Sequence, residues 1–411
     1  MRILVLSNFY PPHYIGGYEL GCHDAVEALK AHGHEVKVLT STYGIENPES
    51  DRDVHRLLET DIEWKSWKDL GLLKYIYKLF RKEVYNKKCF KRVCTEFQPD
   101  VVYIWKLTST SISLGFSAHD FGYPICFYIF DQWLEDWEYD DRWYRLWYRS
   151  NSNKYYLVLK KPLIFLLEMI GLLHGNSLDL HNVQFASSFL KQGALRAGKP
   201  VADAKIIPWG IDINQYPINP SVHFPPRLLF VGQIIPIKGV HTAIEAMEIL
   251  VKKEGFGTLS FTIVGGSRDP EYVDHLKKIV QSTGLSEHIH FTGFIPHEKL
   301  LSIYQNHDIF LFPSIWEEPF GITILEAMSC GLGVIGTGTG GSTEILQSDE
   351  MAALIFNKED ARACAAQIRR LIKNPALLER IRTGGRLRVE ENFKFEETMD
   401  SIEKSLKEII K

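Results

Sequence analysis

Ile3-Leu-Val-Leu-Ser7, Gly16-Gly17 and Glu35-Val-Lys-Val-Leu-Thr40 fall within the first forty residues, and their order decides the fold. The first is a short apolar run of the kind a buried strand needs. Asn8 to Gly16 follows as a loop. Gly17 to Ala31 then places Leu20, Ala25, Ala28 and Leu29 at helical spacing, and Gly33 stands where a left-handed helix end is wanted. Glu35–Thr40 is the second strand. A strand–helix–strand unit of this length builds a parallel sheet, whose ligand sites lie beyond the C-terminal ends of the strands.

The same reading extends outward. Asp100–Ile104, Ile125–Ile129, Val183–Phe185 and Lys205–Ile207 are further strands of the first half. Pro217, Pro220, Pro225 and Pro226 lie within ten residues and suggest a linker, after which Arg227–Val231 is a fresh first strand. A glycine-containing loop and a helix over His241–Glu254 follow it. Ser260–Val264, Ile289–Phe291, Ile309–Phe312 and Gly333–Gly336 are later strands between helical stretches. The expectation is an α/β protein of two Rossmann-like domains, 1–212 and 227–392, with a linker at 213–226 and a last helix within 393–411. Two such domains leave a cleft, a favoured place for a ligand.

Composition narrows the function. Of 411 residues, 45% are hydrophobic and 24% charged, which excludes disordered and fibrous classes. A net charge of −4 argues against general nucleic-acid binding. The six cysteines form no CxxC pair, so neither a zinc site nor a disulfide framework is expected, and a reducing cytoplasm fits. The opening apolar run ends at Asn8 and reads as a strand, not a signal core. Leu157 to Leu173 is interrupted by Lys160, Lys161, Pro162 and Glu168 and reads poorly as a membrane span.

The strongest chemical signal is Pro313-Ser-Ile-Trp-Glu-Glu-Pro-Phe-Gly-Ile-Thr-Ile-Leu-Glu326-Ala-Met-Ser-Cys-Gly331. Gly321 is placed to open a helix after strand Ile309–Phe312. Glu318 then sits in the loop before the helix and Glu326 within its first turns. Two carboxylates at this offset can hold hydroxyls at two points along an extended ligand. Amides near Phe320, Gly321, Ile322 and Thr323 would face a phosphate. The bland alternative makes Glu318 an acid favoured by the helix dipole and Glu326 a surface residue. A second signal is Phe230-Val-Gly-Gln-Ile-Ile-Pro-Ile-Lys-Gly-Val240, where Lys238 follows a strand and a loop and is placed to meet a diphosphate. It is no Walker loop, since Ile237 precedes Lys238 and Gly239 follows it. Glycine loops at Gly16-Gly17 and Gly336–Gly341 allow close backbone approach to a bound group.

On these residues the chain resembles the GT-B glycosyltransferases of family 4, a large retaining, nucleotide-sugar-dependent group. The resemblance is strongest from about Arg227 to Glu344. It implies two parallel sheets facing across a cleft, with the last helix crossing back to the first domain. It also implies that Glu318 holds hydroxyls of a donor sugar and Glu326 the ribose of its nucleotide. The family usually has an Arg and a Lys clamping the donor diphosphate. Lys238 matches the Lys, but Gln233 stands where the Arg is usual and brings no charge. Arg227 or Arg268 is a candidate to compensate. Gly340, Gly341 and Glu344 would lie near the donor, and the backbone around Ile295 near its base. At the end of strand Ile125–Ile129 the family often has His-Asp where this chain has Phe130-Asp131, so Asp131 is either an acceptor-orienting carboxylate or a structural cap. Trp209 stands in the connector Ile207–Asp212, read as structural, and His119-Asp120 as a turn before Gly122. His288 and His290 have no third ligand near, and the resemblance implies no metal and no cofactor. The partners implied are a nucleotide-sugar donor and a carbohydrate or lipid-linked acceptor, in polysaccharide, glycolipid or other glycoconjugate synthesis. A nucleotide-sugar epimerase or hydrolase on the same fold, and a non-catalytic sugar-nucleotide-binding protein, are the alternatives.

Trp64 to Arg92 and Arg142 to Lys161 interleave basic and aromatic residues. They are either helices with solvated basic faces or a surface that meets an anionic acceptor or anionic lipid headgroups from the cytoplasmic side.

Overall fold

The computed structural model describes residues 1–45, 52–65, 67–148, 154–175, 178–218, 222–347 and 350–410; Pro220 and Arg149 lie outside them. Contacts divide the chain into two compact units, Met1–Ile207 with Met399–Lys411, and Pro208–Thr398.

The first unit is built on β1 (Arg2–Ser7), β2 (Glu35–Ser41), β3 (Val54–Leu58), β4 (Val101–Lys106), β5 (Ile125–Ile129), β6 (Val183–Phe185) and β7 (Lys205–Ile206). The strands pair in parallel in the order β3-β2-β1-β4-β5-β6-β7. Ile3 to Leu6 and Ile125 to Ile129 are buried, as continuous apolar strands covered on both faces require. The helix Gly17–Ala31 connects β1 to β2. Its first turn is closed by Glu19, whose carboxylate accepts from the amide of Gly16 at 3.0 Å.

The second unit repeats the plan with β8 (Leu228–Val231), β9 (Phe261–Val264), β10 (Ile289–Gly293), β11 (Ile309–Phe312), β12 (Gly333–Gly336) and β13 (Ala353–Ile355). These are parallel in the order β10-β9-β8-β11-β12-β13. The chain leaves β8 to one side for β9 and β10, then returns to the other side for β11. The C-terminal ends of β8 and β11 are therefore the switch point, where open α/β sheets place ligands.

Several expectations are corrected. β3 and β13 escape the sequence reading for different reasons: β3 mixes His55 and Arg56 into its five residues, and β13 is three residues long, set in the apolar run from Met351 to Phe356 that the strand spacing does not delimit. The expected helix His241–Glu254 is an α-helix over Val240–Glu248 continued by a π-turn at Ile249–Lys253, a change of pitch that apolar spacing does not register. His119 and Asp120 close the helix Ser113–Asp120 rather than forming a turn.

The basic and aromatic segments are only partly solvated. In the helix Leu72–Phe97, Lys82 is 1% exposed, its ammonium 2.7 Å from Asp61 and 3.5 Å from Glu83. Trp143, Tyr144 and Trp147 are buried, and Asp141 caps their helix by accepting from the amides of Trp143 and Tyr144. A lysine with its own carboxylate partner is cheaper to bury than sequence polarity suggests.

Candidate active site

Three loops meet at the C-terminal ends of β8, β11 and β12. The loop after β8 ends in a 3-10 turn, Pro236–Lys238, and a left-handed Gly239 with φ +65°. A Cβ on Gly239 would lie 1.9 Å from the carbonyl oxygen of Pro313, so only glycine allows the β8 and β11 loops this approach. The amides of Ile315 and Trp316 then donate to the carbonyl of Ile237 at 2.9 and 3.2 Å. This registry brings Lys238 to Glu318, with Nζ 2.7 and 2.8 Å from the two carboxylate oxygens and 5.3 Å above the Trp316 ring. Glu318 is 5% exposed and also accepts from the hydroxyl of Ser314.

The loop after β12 supports Glu318 from the other side. Gly341 donates its amide to the Glu318 carbonyl at 2.6 Å. Gly340 has φ +55°, and a Cβ there would stand 2.4 Å from the same carbonyl. Thr339 and Thr337 donate their hydroxyls to the carbonyls of Trp316 and Ser314 at 2.6 Å each. The expected role for Gly340 and Gly341 near a donor is thus joined by a steric one. They let the β12 loop lie against the glutamate.

The helix Ile322–Ser329 starts four residues beyond Glu318, with Gly321 as its N-cap at φ +133° and no side chain capping it. The first amides of a helix have no intrahelical acceptor. Among the described residues those of Ile322 and Thr323 find no other, and both residues are half-buried. Two donors at the positive end of a helix dipole beside an ion-paired lysine suit an anion. Phe320 is buried and stacks edge-on against Phe393, 6.0 Å between centroids, so its side chain anchors the turn.

Glu326 is not a surface residue. It is 2% exposed and accepts from Tyr304 at 2.7 Å, His297 at 2.7 Å and Tyr216 at 3.3 Å. An ionised carboxylate offers about four acceptor directions, so these three partners leave room for one further donor. Burial first, and then the Glu326 carboxylate, push the Tyr304 hydroxyl well above the usual phenol range, which keeps it a donor. Ile295 lies in the turn that carries His297 to this cluster. His297, Tyr304, Tyr216 and Ser314 were missed in the sequence. Only Ser314 lies inside the quoted motif, and the others come from distant segments with no shared spacing.

The remaining candidates divide. Gln233 lies in the Lys238 loop, between Gly232 and a buried Ile234. Arg227 precedes β8 and so sits at the opposite end of that strand from the loop. It is removed as a candidate for the diphosphate, because a four-residue strand separates them by about 13 Å. Arg268 follows β9 at the ligand end, and the hydroxyl of its neighbour Ser267 donates to the carbonyl of Ile234 at 2.6 Å.

In the first unit, Gly16 is extended and its amide is committed to Glu19, while Gly17 opens the helix. Asp131 follows β5, accepts from the amide of Trp133 at 3.1 Å and is ion-paired with Lys106. Asp131 thus holds the first amide of the helix Trp133–Asp140, whose N-cap residue is Gln132, and Lys106 is a partner that the sequence did not announce. Trp209 is buried against Phe395, and Gly210 lies against the backbone of Lys394, as the structural reading of that connector expects. His288 is bound to the carbonyl of Leu259 at 2.9 Å.

Two Rossmann-like sheets, with a paired lysine and glutamate, a buried second glutamate and an open helix start at the switch point of one of them, define a GT-B glycosyltransferase. Comparison with known proteins gives the family. The family model described as Glycosyltransferase Family 4 matches residues 15–215, and the one described as Glycosyl transferases group 1 matches residues 215–388. The chain belongs to glycosyltransferase family 4. It is 22% identical over 384 residues to an uncharacterized glycosyltransferase of Methanocaldococcus jannaschii, covering 87% of this chain and 86% of that protein. Sucrose-phosphate synthase from Thermosynechococcus elongatus has a similar fold, with a TM-score of 0.74 at 20% identity over 99% of this chain and 98% of that one. The Anabaena protein HepE in complex with UDP-glucose aligns with a TM-score of 0.69 at 17% identity, over 99% and 100% of the two chains.

Proposed function

We propose that this glycosyltransferase takes a sugar from a nucleotide-diphosphate donor and delivers it to a hydroxyl acceptor with retention of configuration at the anomeric carbon. The observation that carries the reading is the Lys238–Glu318 pair at the β8–β11 switch point, four residues from a helix whose first amides are open. The UDP-glucose complex of the similar Anabaena protein supports a donor of this class.

The chemical difficulty is departure of the diphosphate as positive charge builds on the anomeric carbon. Preorganised donors aimed at the leaving oxygens are the main lever. Lys238 and the amides of Ile322 and Thr323 supply them, with Gln233 as a neutral donor where a second cation is usual and Arg268 as a further cation at the ligand end of the sheet. Glu318 holds the lysine and takes sugar hydroxyls. Glu326 takes a ribose hydroxyl in its remaining acceptor direction, and the backbone near Ile295 receives the base. The acceptor hydroxyl attacks the face that the phosphate leaves, its proton passes to the departing phosphate oxygen, and no protein base is required. That suits Phe130 in place of an imidazole, with Asp131 orienting the acceptor and Gly16-Gly17 beside it. The reading calls for no metal or cofactor, since the protein's own cation and amides meet the leaving charge.

The acceptor is a carbohydrate or a lipid-linked intermediate of polysaccharide, glycolipid or other glycoconjugate synthesis. Six buried free thiols suit a reducing compartment, and the reaction is assigned to the cytoplasmic side. A thermal-shift panel of UDP-, GDP- and ADP-sugars tests the donor. A ligand at 100 times its dissociation constant stabilises by about 2.7 kcal/mol, so one nucleotide class raises the melting temperature by several degrees. No shift with any of them removes the proposal.

A further inference from the structure

The helix Leu72–Phe97 buries one face and leaves the other in water. Leu73, Tyr77, Phe80 and Val84 recur at spacings of four, three and four and form one stripe, 83%, 65%, 38% and 39% exposed. Lys74, Lys88 and Arg92 are exposed on the same helix, whose one exposed acid is Glu96 in the last turn. The helix Lys154–Met169 exposes more. Leu163, Phe165, Leu166, Met169 and the following Ile170 are between 44% and 70% exposed, while Leu167 turns inward. The two helices adjoin. Lys87 donates to the carbonyl of Gly171, just past the second helix. Trp143 meets the Phe80 ring at 6.3 Å and donates to the carbonyl of Leu172 at 2.7 Å.

A water-soluble surface seldom concentrates so many large apolar side chains in one place. No described helix is long and apolar enough to cross a membrane, so these residues do not span one. We propose that this face of the first unit seats the enzyme on an anionic lipid surface, the apolar stripes entering the headgroup–acyl boundary and the lysines and Arg92 meeting lipid phosphates. Apolar side chains flanked by cations with few acids between them are what such a surface selects. A second copy of the chain is the poorer occupant, because symmetric pairing sets Lys74, Lys88 and Arg92 against their own kind. The inference rests on the first unit alone and does not depend on the donor.

Flotation of the full chain tests it, with vesicles of phosphatidylcholine alone and with phosphatidylglycerol added. The chain is expected to float with the anionic vesicles at low salt and to be partly released at high salt. Phe165→Ser/Leu166→Ser/Met169→Ser and Leu73→Ser/Tyr77→Ser each lower the partition about tenfold, and Lys74→Glu/Lys88→Glu lowers it mainly at low salt. A cooperative melt matching the parent shows that each variant is folded, and the donor-induced shift on the same samples reports the donor site separately. Absence of flotation with anionic vesicles at low salt overturns the proposal, as does unchanged partition of the apolar variants. Equal flotation with neutral vesicles overturns the role of the cations. Self-association without vesicles that the apolar variants abolish assigns the face to a second copy instead.

Discussion

Lys238 and Glu318 stand 80 positions apart in the chain and 2.7 Å apart in the fold. Each was legible as a candidate from its own motif, but their pairing was not. It depends on Gly239 and Gly340, two left-handed glycines without which neither loop could close on the glutamate. On the proposed reading, Lys238→Ala removes a cation from the leaving group, and it leaves the buried Glu318 carboxylate without its ion pair. Turnover is expected to fall at least about tenfold, equivalent to about 1.4 kcal/mol of barrier, with a lower melting temperature. Glu326→Ala is expected to weaken donor binding more than turnover at saturation. Steady-state kinetics of both variants check this, and unchanged parameters for the pair would count against the site.

At the scale of the element, the helix Leu72–Phe97 shows what composition hides. Ten basic residues between Trp64 and Arg92 suggested a solvated face, yet the structure turns Lys82 inward toward Asp61, Glu83 and Asp141. Burial works against the Lys82 charge, but the carboxylates outweigh it and hold the ammonium charged. Glu83 accepts from Ser111 and Ser113, and burial outweighs Lys82 and pushes its carboxyl up to about 7. The folded protein then binds a proton that the unfolded chain, titrating near 4.5, releases. Stability from this group is full below about 4.5 and declines as pH rises to about 7, because the folded state holds more protons in that interval. Glu83→Gln is expected to flatten the decline. Denaturation midpoints at several pH values between these limits measure it, and an unaltered slope would refute the assignment.

At the scale of the molecule, the helix Phe395–Ile410 begins in the second unit and ends in the first. Its fastening to the first unit is centred on Glu403. That carboxylate meets His32 at 2.8 Å and His34 at 3.0 Å, is bridged by Lys407 and has Asp400 beside it. Lys407 above all, then His32 and His34, hold its carboxyl down at about 2 against the opposing effect of burial. A depressed pKa contributes stability that is present above the unfolded value near 4.5 and is lost as pH falls through about 2. The protection of the amides over 399–410 against hydrogen exchange, relative to the unstructured chain at the same pH, is therefore expected to fall between pH 4 and 2, and Glu403→Gln to remove most of that dependence. Protection indifferent to pH in the parent would show that the contact does not fasten the helix.

The residue order alone determined the two parallel sheets, most strand limits, the start of the helix Ile322–Ser329 and the candidate residues Lys238, Glu318 and Glu326. Apolar runs, helical spacing and glycine positions are local properties, and local sterics and burial act on them directly. Only the tertiary structure decided that Lys238 pairs with Glu318, that Tyr216, His297 and Tyr304 converge on Glu326, that Arg227 lies at the wrong end of its strand, and which basic and aromatic residues turn inward. Those outcomes depend on which strands become neighbours and on the direction in which each is traversed. No window of sequence contains that information, because the contacts form between segments brought together by the sheet order and not by the chain.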